Sequence, residues 1–545
     1  MRPDISRDDR PTVSMPVPLV LLALLILAAH AWTLRDFLVD DAYISWRYAR
    51  NIAEGLGPVF NGGERVEGYS NPLYTFLLTL PARFARNDDT LPVVGRVVGF
   101  LAALATILTM ARWPLLAGGA GPTLALMLTA TSTSLALWSV GGLETTLYGW
   151  LIAAALGATL ARPLSPGGRL GTGLLLAAVA LSRPEGIVPA GALYLIRWLD
   201  PDTRRQTRGH LLIGLAFLLP IAGYLIFRVS YFGDWLPNTW YAKKVGLAEA
   251  WRKGSWYFVS FVHHNGGKWL YAAAPLAFLD RTRRRLVLTA SFVLAAYLPY
   301  VLYVGGDWMD QHRFLVPVVP LIYLMTGLGW GVVIDTIRRG LTRWPGGDLI
   351  RPVPPLGVLA LWLLLARPTV DLTREQIERG GYVNARPYYE TVGRLVGAVA
   401  DSGWSVATHD IGAIGWYGRT RVVDLLGLVD RDLARGTVSA EQLIAREQPD
   451  LVVLHYDNRA TASTSTSRWR GFESSGLDSI YVTFGRDPEM FPYLRARQNR
   501  DGALRDRLAA LGFGGTGKEP SAALARHLEV EEWLKTHQPD GLPWR

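Results

Sequence analysis

The feature that most constrains this chain is a series of long apolar runs that are separated by short clusters of arginine. The first run, Pro16–Leu34, has no Asp, Glu, Lys or Arg, and about 19 helical residues can cross roughly 30 Å of hydrocarbon. A charged pair rather than a small-residue cleavage site follows it, so we interpret it as an uncleaved span and not as a signal peptide. Half of all residues are hydrophobic and only 19% are charged, which predicts a polytopic membrane protein.

The composition also excludes several classes of function. Cysteine is absent, which excludes disulfides, Cys-ligated zinc and iron–sulfur clusters. A net charge of +10 is compatible with nucleic-acid binding. The positive excess lies in arginine clusters between apolar runs, however, which is the pattern of cytoplasmic loops in membrane proteins. We therefore predict contact with a lipid bilayer and no nucleic-acid partner.

The arginine clusters set the expected topology. They lie at about 197–208, 281–285 and 338–351, and each is expected to face the cytoplasm. The apolar stretches between and after them are 211–228, 256–279, 286–304, 314–334 and 353–366. This order predicts a cytoplasmic N-terminus and a C-terminus outside the inner membrane.

The region 71–199 is less regular. Its apolar stretches are 72–82, 91–111, 120–140, 145–161, 170–181 and 186–199. An outer loop precedes the region and an inner arginine cluster follows it, so an odd number of spans must cross there. Either 72–82 lies at the interface or 170–199 is a single broken helix. We expect about eleven spans in total, counted as apolar runs long enough to cross a bilayer.

After Arg367 the chain becomes polar. Strand-like runs occur at Ser405–Thr408, Arg421–Leu425 and Asp450–His455, with amphipathic helix candidates at Tyr388–Ala400 and Ala440–Arg446. Strands that alternate with helices indicate an α/β domain with a partly parallel sheet. We therefore predict a mostly α protein, with a transmembrane catalytic domain at 1–367 and an extracytoplasmic α/β domain at 368–545.

The glycine-rich segment His409–Gly415 follows the first of these strand-like runs. It lacks the spacing of a dinucleotide-binding loop. We interpret its glycines as a tight turn from strand to helix, with Asp410 as the expected helix cap.

The first outer loop carries the strongest chemical signal. Asp40 and Asp41 lie where the first span leaves the membrane, and an unusually long loop follows them. A carboxylate at this place can act as a general base, with Asp40 the first choice and Asp41 the second. The two can also bind a divalent cation, Mg²⁺ or Mn²⁺, although no cofactor is certain. Further candidates for substrate binding in this loop are Tyr43, Arg47, Glu64, Glu67, Tyr69 and Asn71.

The second and third outer loops carry cations and aromatic residues. Lys243 and Lys244 lie outside, against the usual bias, and Arg313 lies at the start of a span. These three cations are candidates for holding the phosphate of a lipid donor, and headgroup contact is the alternative. Candidates for substrate binding in the same loops are Asn238, Tyr241, Asp307 and Trp308.

Ionisable residues also occur within or beside apolar runs. Glu144, Arg183 and Glu185 are substrate-binding candidates because such residues are costly in a membrane and are usually functional. The alternative is structural, with Arg183 and Glu185 simply paired with one another.

These motifs, taken in order, resemble a bacterial family of membrane glycosyltransferases with the GT-C fold, in particular the terminal β-(1→2)-arabinofuranosyltransferases of the AftB type. The resemblance lies in VDDAYISWRYARNIAEGLGPVFNGGERVEGYSNPLY, GGLETTLY, LSRPEG, WLPNTWYAKK, VGGDWMDQHRFLVPVVPL and ATHDIGAIGWYGRTRVVDLLGLVD. It implies a polyprenyl-phosphate sugar donor, here decaprenyl-phospho-arabinose, and a cell-envelope glycan acceptor. It also maps the acidic motif of the family onto Asp40 and Asp41.

Other functions remain open on the sequence alone. A related enzyme can glycosylate pilin, another protein or a lipid with another polyprenyl-phosphate sugar. A transporter or flippase also has many spans, but it should show related halves and charges at mid-membrane, and we find no internal repeat. A scaffold or sensor is a third alternative.

Overall fold

The computed structural model describes residues 15–113, 118–161, 164–243, 246–341, 389–401, 403–454, 481–484, 493–497, 503, 506 and 507. The helices before residue 342 are α1 Val17–Thr33, α2 Asp40–Ala53, α3 Pro72–Ala82, α4 Thr90–Ala111, α5 Ala120–Ala130, α6 Thr133–Val140, α7 Thr145–Leu160, α8 Pro166–Ser182, α9 Ile187–Leu199, α10 Thr207–Phe232, α11 Asn238–Ala242, α12 Leu247–His264, α13 Gly267–Tyr271, α14 Arg284–Tyr303 and α15 Val319–Leu341. The helices after residue 388 are α16 Thr391–Val399, α17 Ile411–Gly418, α18 Arg431–Arg435 and α19 Ala440–Glu447. The strands are β1 Ser405–Thr408, β2 Arg421–Asp424, β3 Leu451–Leu454, β4 Tyr481–Phe484 and β5 Tyr493–Arg497.

Several of these helices are long and apolar enough to cross a membrane. Within the described residues they are Thr90–Ala111, Thr207–Phe232, Arg281–Tyr303 and Val316–Gly340. The pair α5 and α6, bent by 43°, makes a fifth if it is one broken span. Shorter apolar helices are α1, α3 and α7. The predicted last span, 353–366, lies outside the described residues.

The irregular part of the predicted topology has a structural explanation. Helix α3 has 11 residues, which at 1.5 Å per residue is too short to cross the hydrocarbon core. The stretch 170–199 is two helices, α8 and α9, which break at Arg183–Gly186. The stretch 256–279, predicted as one apolar segment, is also broken. Gly266 and Gly267 have φ values of +109° and +71° there, so the helix cannot continue through them.

The chain divides into two compact units. The first, which we call the bundle unit, comprises Met1–Phe37, Arg96–Tyr224 and Val245–Tyr382. Helices α5 and α15 pack closely in it, and a Cβ on Gly327 would lie 2.4 Å from the backbone nitrogen of Ala125. Small residues at such a contact allow two backbones to approach closely, which is how membrane helices gain packing energy.

The second unit comprises Leu38–Gly95, Leu225–Lys244 and Val383–Arg545, and we call it the outer unit because it contains the first two predicted outer loops. It contains a five-stranded sheet in the order β2-β1-β3-β5-β4. Strand β1 pairs in parallel with β2 and β3, whereas β5 pairs antiparallel with β3 and β4. A core cluster that includes Ala407, Val423, Leu443, Ile444 and Val452 packs α19 against this sheet.

The predicted α/β pattern of the C-terminal region agrees with these elements. The three strand-like runs form β1, β2 and β3, with ends shifted by at most one residue. The first helix candidate contains α16, and the second agrees with α19 to within one residue. The predicted domain boundary at 367/368 lies outside the described residues. The division of the chain differs from the sequence order, because the first loop belongs to the same compact unit as the α/β region.

Candidate functional site

The first outer loop begins as helix α2, which carries the acidic pair in its first turn. Acidic residues at a helix N-terminus are stabilised by the partial positive charge of the backbone N–H groups there. The helix ends at Ala53, and Gly55 follows it with φ +84°. Most of α2 is buried, including Asp40, whereas Asp41 is partly exposed. The two carboxylates therefore lie in different surroundings although they are adjacent in sequence.

The Asp40 carboxylate is held by the start of helix α17. Its Oδ2 accepts a hydrogen bond from the backbone N–H of Gly412 at 3.0 Å, and its Oδ1 accepts one from Ala413 at 2.8 Å. Asp410, which the sequence predicted as the cap of this helix, occupies the N-cap position but makes no side-chain capping bond. That prediction was wrong, because Asp40 from a distant part of the chain satisfies the first backbone donors instead.

Burial dominates the electrostatics of Asp40. Loss of hydration, and next the nearby Asp410 carboxylate, raise the pKa of Asp40 to about 8, while the two backbone donors act in the opposite direction. A carboxylate with such a pKa changes charge in the range where enzymes work.

Arg47, one of the predicted substrate-binding residues, is held by protein groups. Its Nε donates to the Phe60 carbonyl at 2.8 Å, and its Nη2 donates to the Thr420 carbonyl at 2.8 Å. Its Nη1 donates to the Gly415 carbonyl at 2.5 Å, and the guanidinium lies over the Phe60 ring at 4.3 Å. These contacts favour a structural role, in which Arg47 joins α2 to α17 and to the residues before β2.

Tyr43 belongs to a buried polar network in the outer unit. Its hydroxyl donates to Glu390 Oε1 at 2.5 Å and lies 3.5 Å from the hydroxyl of Tyr417. Tyr417 donates to Asp89 Oδ1 at 2.9 Å, and Arg394 reaches the same oxygen at 2.6 Å. The network therefore connects α2, α16 and α17 with the residues that precede α4.

The other candidates of the first loop also have protein partners. Glu64 accepts from Arg421 at 2.8 Å, and Glu67 accepts from Arg228 at 2.7 Å. Tyr69 is buried and packs edge-on against the ring of Tyr48. Asn71 accepts hydrogen bonds from Ser45 and Thr75 at 3.0 Å each. This loop is thus a packed layer of the outer unit and not a solvated linker.

Within the outer unit, Asn238 joins the second outer loop to the residues between β2 and α18. Its side-chain amide donates to the carbonyls of Gly427, Leu428 and Asp430 at 2.8–3.2 Å. Tyr241 donates to Asp234 at 2.8 Å. Lys243 is exposed at the end of α11, and Lys244 lies outside the described residues.

Two buried ion-pair groups lie in the bundle unit. Arg183 pairs with Glu144 at 2.5 Å and also with Glu185, so the pairing expected as a structural alternative is present. Arg313 pairs with Asp307 at 2.5 Å. The guanidinium groups of Arg183 and Arg313 both lie over the Phe314 ring, at 5.0 Å and 5.3 Å. The structure therefore brings together residues from the third loop and from two breaks between apolar helices.

The third loop is strained, and Trp308 projects from it. Trp308 is 71% exposed. Gln311 and His312 have φ values of +58° and +55°, which cost energy for residues other than glycine and occur most often near functional sites.

In the described residues, no three His, Cys, Asp or Glu side chains converge as a metal site would require. A divalent cation at Asp40 and Asp41 stays a prediction.

Sequence reasoning missed several residues that build this region. Glu390, Asp89 and Arg394 form the network around Tyr43, and Gly412 supplies a backbone donor to Asp40. The only sequence signal was the glycine-rich turn after β1. It indicated a connection from strand to helix, but not that the helix start would bind Asp40.

Comparison with known proteins identifies both sequence relatives and structural neighbours. The chain is 29% identical over 452 residues to a terminal β-(1→2)-arabinofuranosyltransferase of Mycobacterium tuberculosis, which covers 76% of this chain and 65% of that protein. It is 27% identical over 333 residues to the protein of the same name from Corynebacterium glutamicum, covering 53% and 48%. The chain thus spans less than two thirds of the length of either relative. Residues 374–494 match a family described as a domain of unknown function (DUF8728).

The structural neighbours share the fold at low sequence identity. ArnT from Cupriavidus metallidurans has a TM-score of 0.56 at 13% identity, covering 88% of this chain and 97% of ArnT. One structure of that protein has undecaprenyl phosphate bound. The oligosaccharyltransferase of Archaeoglobus fulgidus has a TM-score of 0.54 at 12% identity, covering 88% and 74%. The predicted GT-C fold and the resemblance to terminal arabinofuranosyltransferases are confirmed, and the protein is membrane-embedded.

Proposed function

We propose that this protein is a membrane glycosyltransferase that transfers arabinofuranose from decaprenyl-phospho-arabinose to a cell-envelope glycan. The observation that carries the proposal is the similarity, along about three quarters of the chain, to enzymes named for terminal arabinofuranosyl transfer. The GT-C fold supports it, because a structural neighbour with this fold binds undecaprenyl phosphate. The reaction is proposed for the outer face of the inner membrane, with the N-terminus in the cytoplasm.

In the proposed reaction a hydroxyl group of the acceptor attacks the anomeric carbon of the sugar. The bond between that carbon and the phosphate oxygen breaks, and polyprenyl phosphate leaves with the negative charge. The hydroxyl proton passes to a carboxylate of the first loop. The geometry favours Asp41 as this base, because both Asp40 oxygens already accept backbone hydrogen bonds and Asp41 is the more exposed of the two.

The leaving phosphate requires a cation that is in place before the bond breaks. A positive group near the oxygen that gains charge stabilises the transition state more than the ground state. Of the three predicted cations, Lys243 is the most accessible among the described residues, since Arg313 is buried and paired with Asp307. We therefore place Lys243 first for donor-phosphate binding, with Arg313 and Lys244 as the other candidates.

The acceptor reaches the site from the aqueous side, whereas the donor lipid stays in the bilayer. Residues 389–454 of the outer unit carry strands β1 to β3 and the helices that pack against the first loop, and we propose that this region contacts the acceptor glycan. A divalent cation, Mg²⁺ or Mn²⁺, is a further proposal, and it is tested by measuring turnover with and without EDTA.

The function is tested with purified protein in nanodiscs and a panel of polyprenyl-phosphate donors. We expect release of lipid phosphate with the arabinose donor and a short arabinan acceptor. Turnover only with hexose donors would reject the proposed sugar, and no turnover with any donor would reject the activity. Asp41→Asn should lower kcat by at least about a hundredfold, the usual range for a general base. Asp36→Asn, at an exposed carboxylate just before α2, is the matched control and should keep wild-type kinetics.

A further inference from the structure

The contact between Asp40 and the start of α17, which we call the Asp40 clamp, joins two segments that are far apart in sequence. It consists of the Asp40 carboxylate and the backbone N–H groups of Gly412 and Ala413. Helix α17 has eight residues, all of them buried. The clamp is therefore an internal contact of the outer unit and is shielded from competing water.

Gly412 is required for this close approach. A Cβ atom on Gly412 would lie 2.0 Å from the backbone carbonyl oxygen of Asp40 and 2.5 Å from its Oδ2. Both distances are far below normal van der Waals contact, so any side chain at this position must push α2 and α17 apart. The backbone φ of Gly412 is ordinary, which means that the glycine is needed for space and not for its conformation.

The clamp holds Asp40, which directly precedes Asp41 in helix α2. Adjacent residues on a helix point about 100° apart, so fixing the side chain of Asp40 also fixes the direction in which Asp41 projects. Three further contacts hold the same helix against the same region: the Arg47 bonds to the Gly415 and Thr420 carbonyls, and the Tyr43 bond to Glu390. The first turn of α2 has no capping side chain at Val39, so its position depends on these tertiary contacts.

We propose that the N-terminal turn of α17 is a positioning element for the reaction, in which Gly412 and Ala413 hold Asp40 so that Asp41 faces the acceptor hydroxyl. The inference rests on the proposed function for the role of Asp41. It assigns Asp40 as a positioning residue, and it makes the α/β region a necessary part of the transfer step as well as an acceptor surface. A displacement of about 1 Å at a reacting group is enough to cost about a hundredfold in rate.

The test is Gly412→Ala, which adds a methyl group against Asp40 without removing any polar group. We expect kcat to fall at least about tenfold while the donor KM changes less than twofold, because alignment is lost and donor binding is not. Hydrogen exchange in the first turn of α2 should become faster.

Two glycines of the same region provide matched controls. Gly397→Ala presses on the last turn of α17, away from the Asp40 clamp, where its Cβ would lie 2.5 Å from the Tyr417 carbonyl oxygen. Apart from its chain neighbours, Gly403 has no atom within 4 Å of its Cβ position, so Gly403→Ala should leave all properties unchanged. We expect Gly397→Ala to lower the thermal midpoint but to keep kcat within twofold. An equal loss of kcat in Gly397→Ala and Gly412→Ala would overturn the proposal, because the effect would then follow general damage to the region.

A second series covers the case in which Gly412→Ala does not fold. Asp40→Asn keeps one accepting oxygen and should retain more activity than Asp41→Asn, whereas Asp40→Ala removes both acceptors and should retain less than Asp40→Asn. If Asp40→Asn is as inactive as Asp41→Asn, Asp40 takes part in the chemistry and the positioning role is wrong. If the wild-type protein turns over no donor, the proposed function fails, and the exchange rates of α2 in Gly412→Ala and Gly397→Ala still test the clamp.

Discussion

Replacement of the buried Arg47 gives the sharpest test of how the first loop is held. Its guanidinium donates to three backbone carbonyl oxygens, at 2.8 Å, 2.5 Å and 2.8 Å, and approaches Asn61 Oδ1 at 3.3 Å. Hydrogen bonds from a charged donor contribute about 1.5–3 kcal/mol each and are not additive. Removing the group also takes a charged donor from three buried carbonyl oxygens, of which that of Phe60 keeps a hydrogen bond from Asn51 at 3.0 Å, so Arg47→Ala should cost about 3–5 kcal/mol.

The expected effect is large enough for a thermal assay. Each kcal/mol lost from the free energy of unfolding lowers the unfolding midpoint by about 2–4 °C, so the midpoint should fall by roughly 10 °C. The unfolding midpoint of Arg47→Lys should lie between those of the wild type and Arg47→Ala. One ammonium group cannot reach all three carbonyls as a planar guanidinium does. The measurement is the midpoint of tryptophan fluorescence change in nanodiscs, because Trp404 and Trp416 are buried in the same unit.

The control is Arg35→Ala, at a side chain that is 44% exposed. It should shift the midpoint by no more than about 2 °C, the effect of a surface substitution. If Arg47→Ala lowers the midpoint no further than Arg35→Ala does, Arg47 does not hold the loop, and its earlier interpretation as a substrate-binding residue is favoured.

Three other perturbations test separate parts of the structure. Arg183→Gln leaves Glu144 and Glu185 buried without their cation, and should destabilise the protein by about 3–5 kcal/mol, with partial recovery in the double variant with Glu185→Gln; an unchanged unfolding midpoint would contradict this. Burial raises the pKa of Asp424 from its ordinary value near 4 to about 6, so its stabilising contribution is complete below pH 4 and is lost as the pH rises to about 6. Unfolding midpoints measured between pH 4 and pH 7 should therefore fall more in the wild type than in Asp424→Asn, and parallel profiles would refute the assignment. Lys243→Ala should raise the donor KM, lower kcat, or both; wild-type kinetics in this variant would place the donor phosphate elsewhere.

Much of the fold follows from local sequence. Apolar runs such as Thr207–Phe232 predict spans because a helix of this length with a long apolar stretch is stable only when lipid or protein surrounds it. The strands β1 to β3 follow from short β-branched runs between polar helices, since the side-chain period differs between strand and helix. The acidic pair and the outer cations are equally visible, because charges beside apolar runs are rare and costly.

The sequence also left choices that local pattern cannot make. Whether 170–199 is one helix or two depends on the break at Arg183, where the ion pair with Glu144 is available only after distant segments have packed. The stretch 256–279 is continuous in hydropathy, and the left-handed glycines at 266 and 267 divide it.

What the sequence by itself determined is the class of protein, its apolar helices, its α/β region and the pair Asp40–Asp41. What only the tertiary structure decided is the difference between these two carboxylates. A sequence shows them as equivalent neighbours, and their roles depend on which oxygen atoms meet the backbone of Gly412 and Ala413, some 370 residues away. Burial and hydrogen bonding are properties of the packed chain, so they raise the pKa of Asp40 and give different accessibility to two identical side chains that local pattern cannot distinguish.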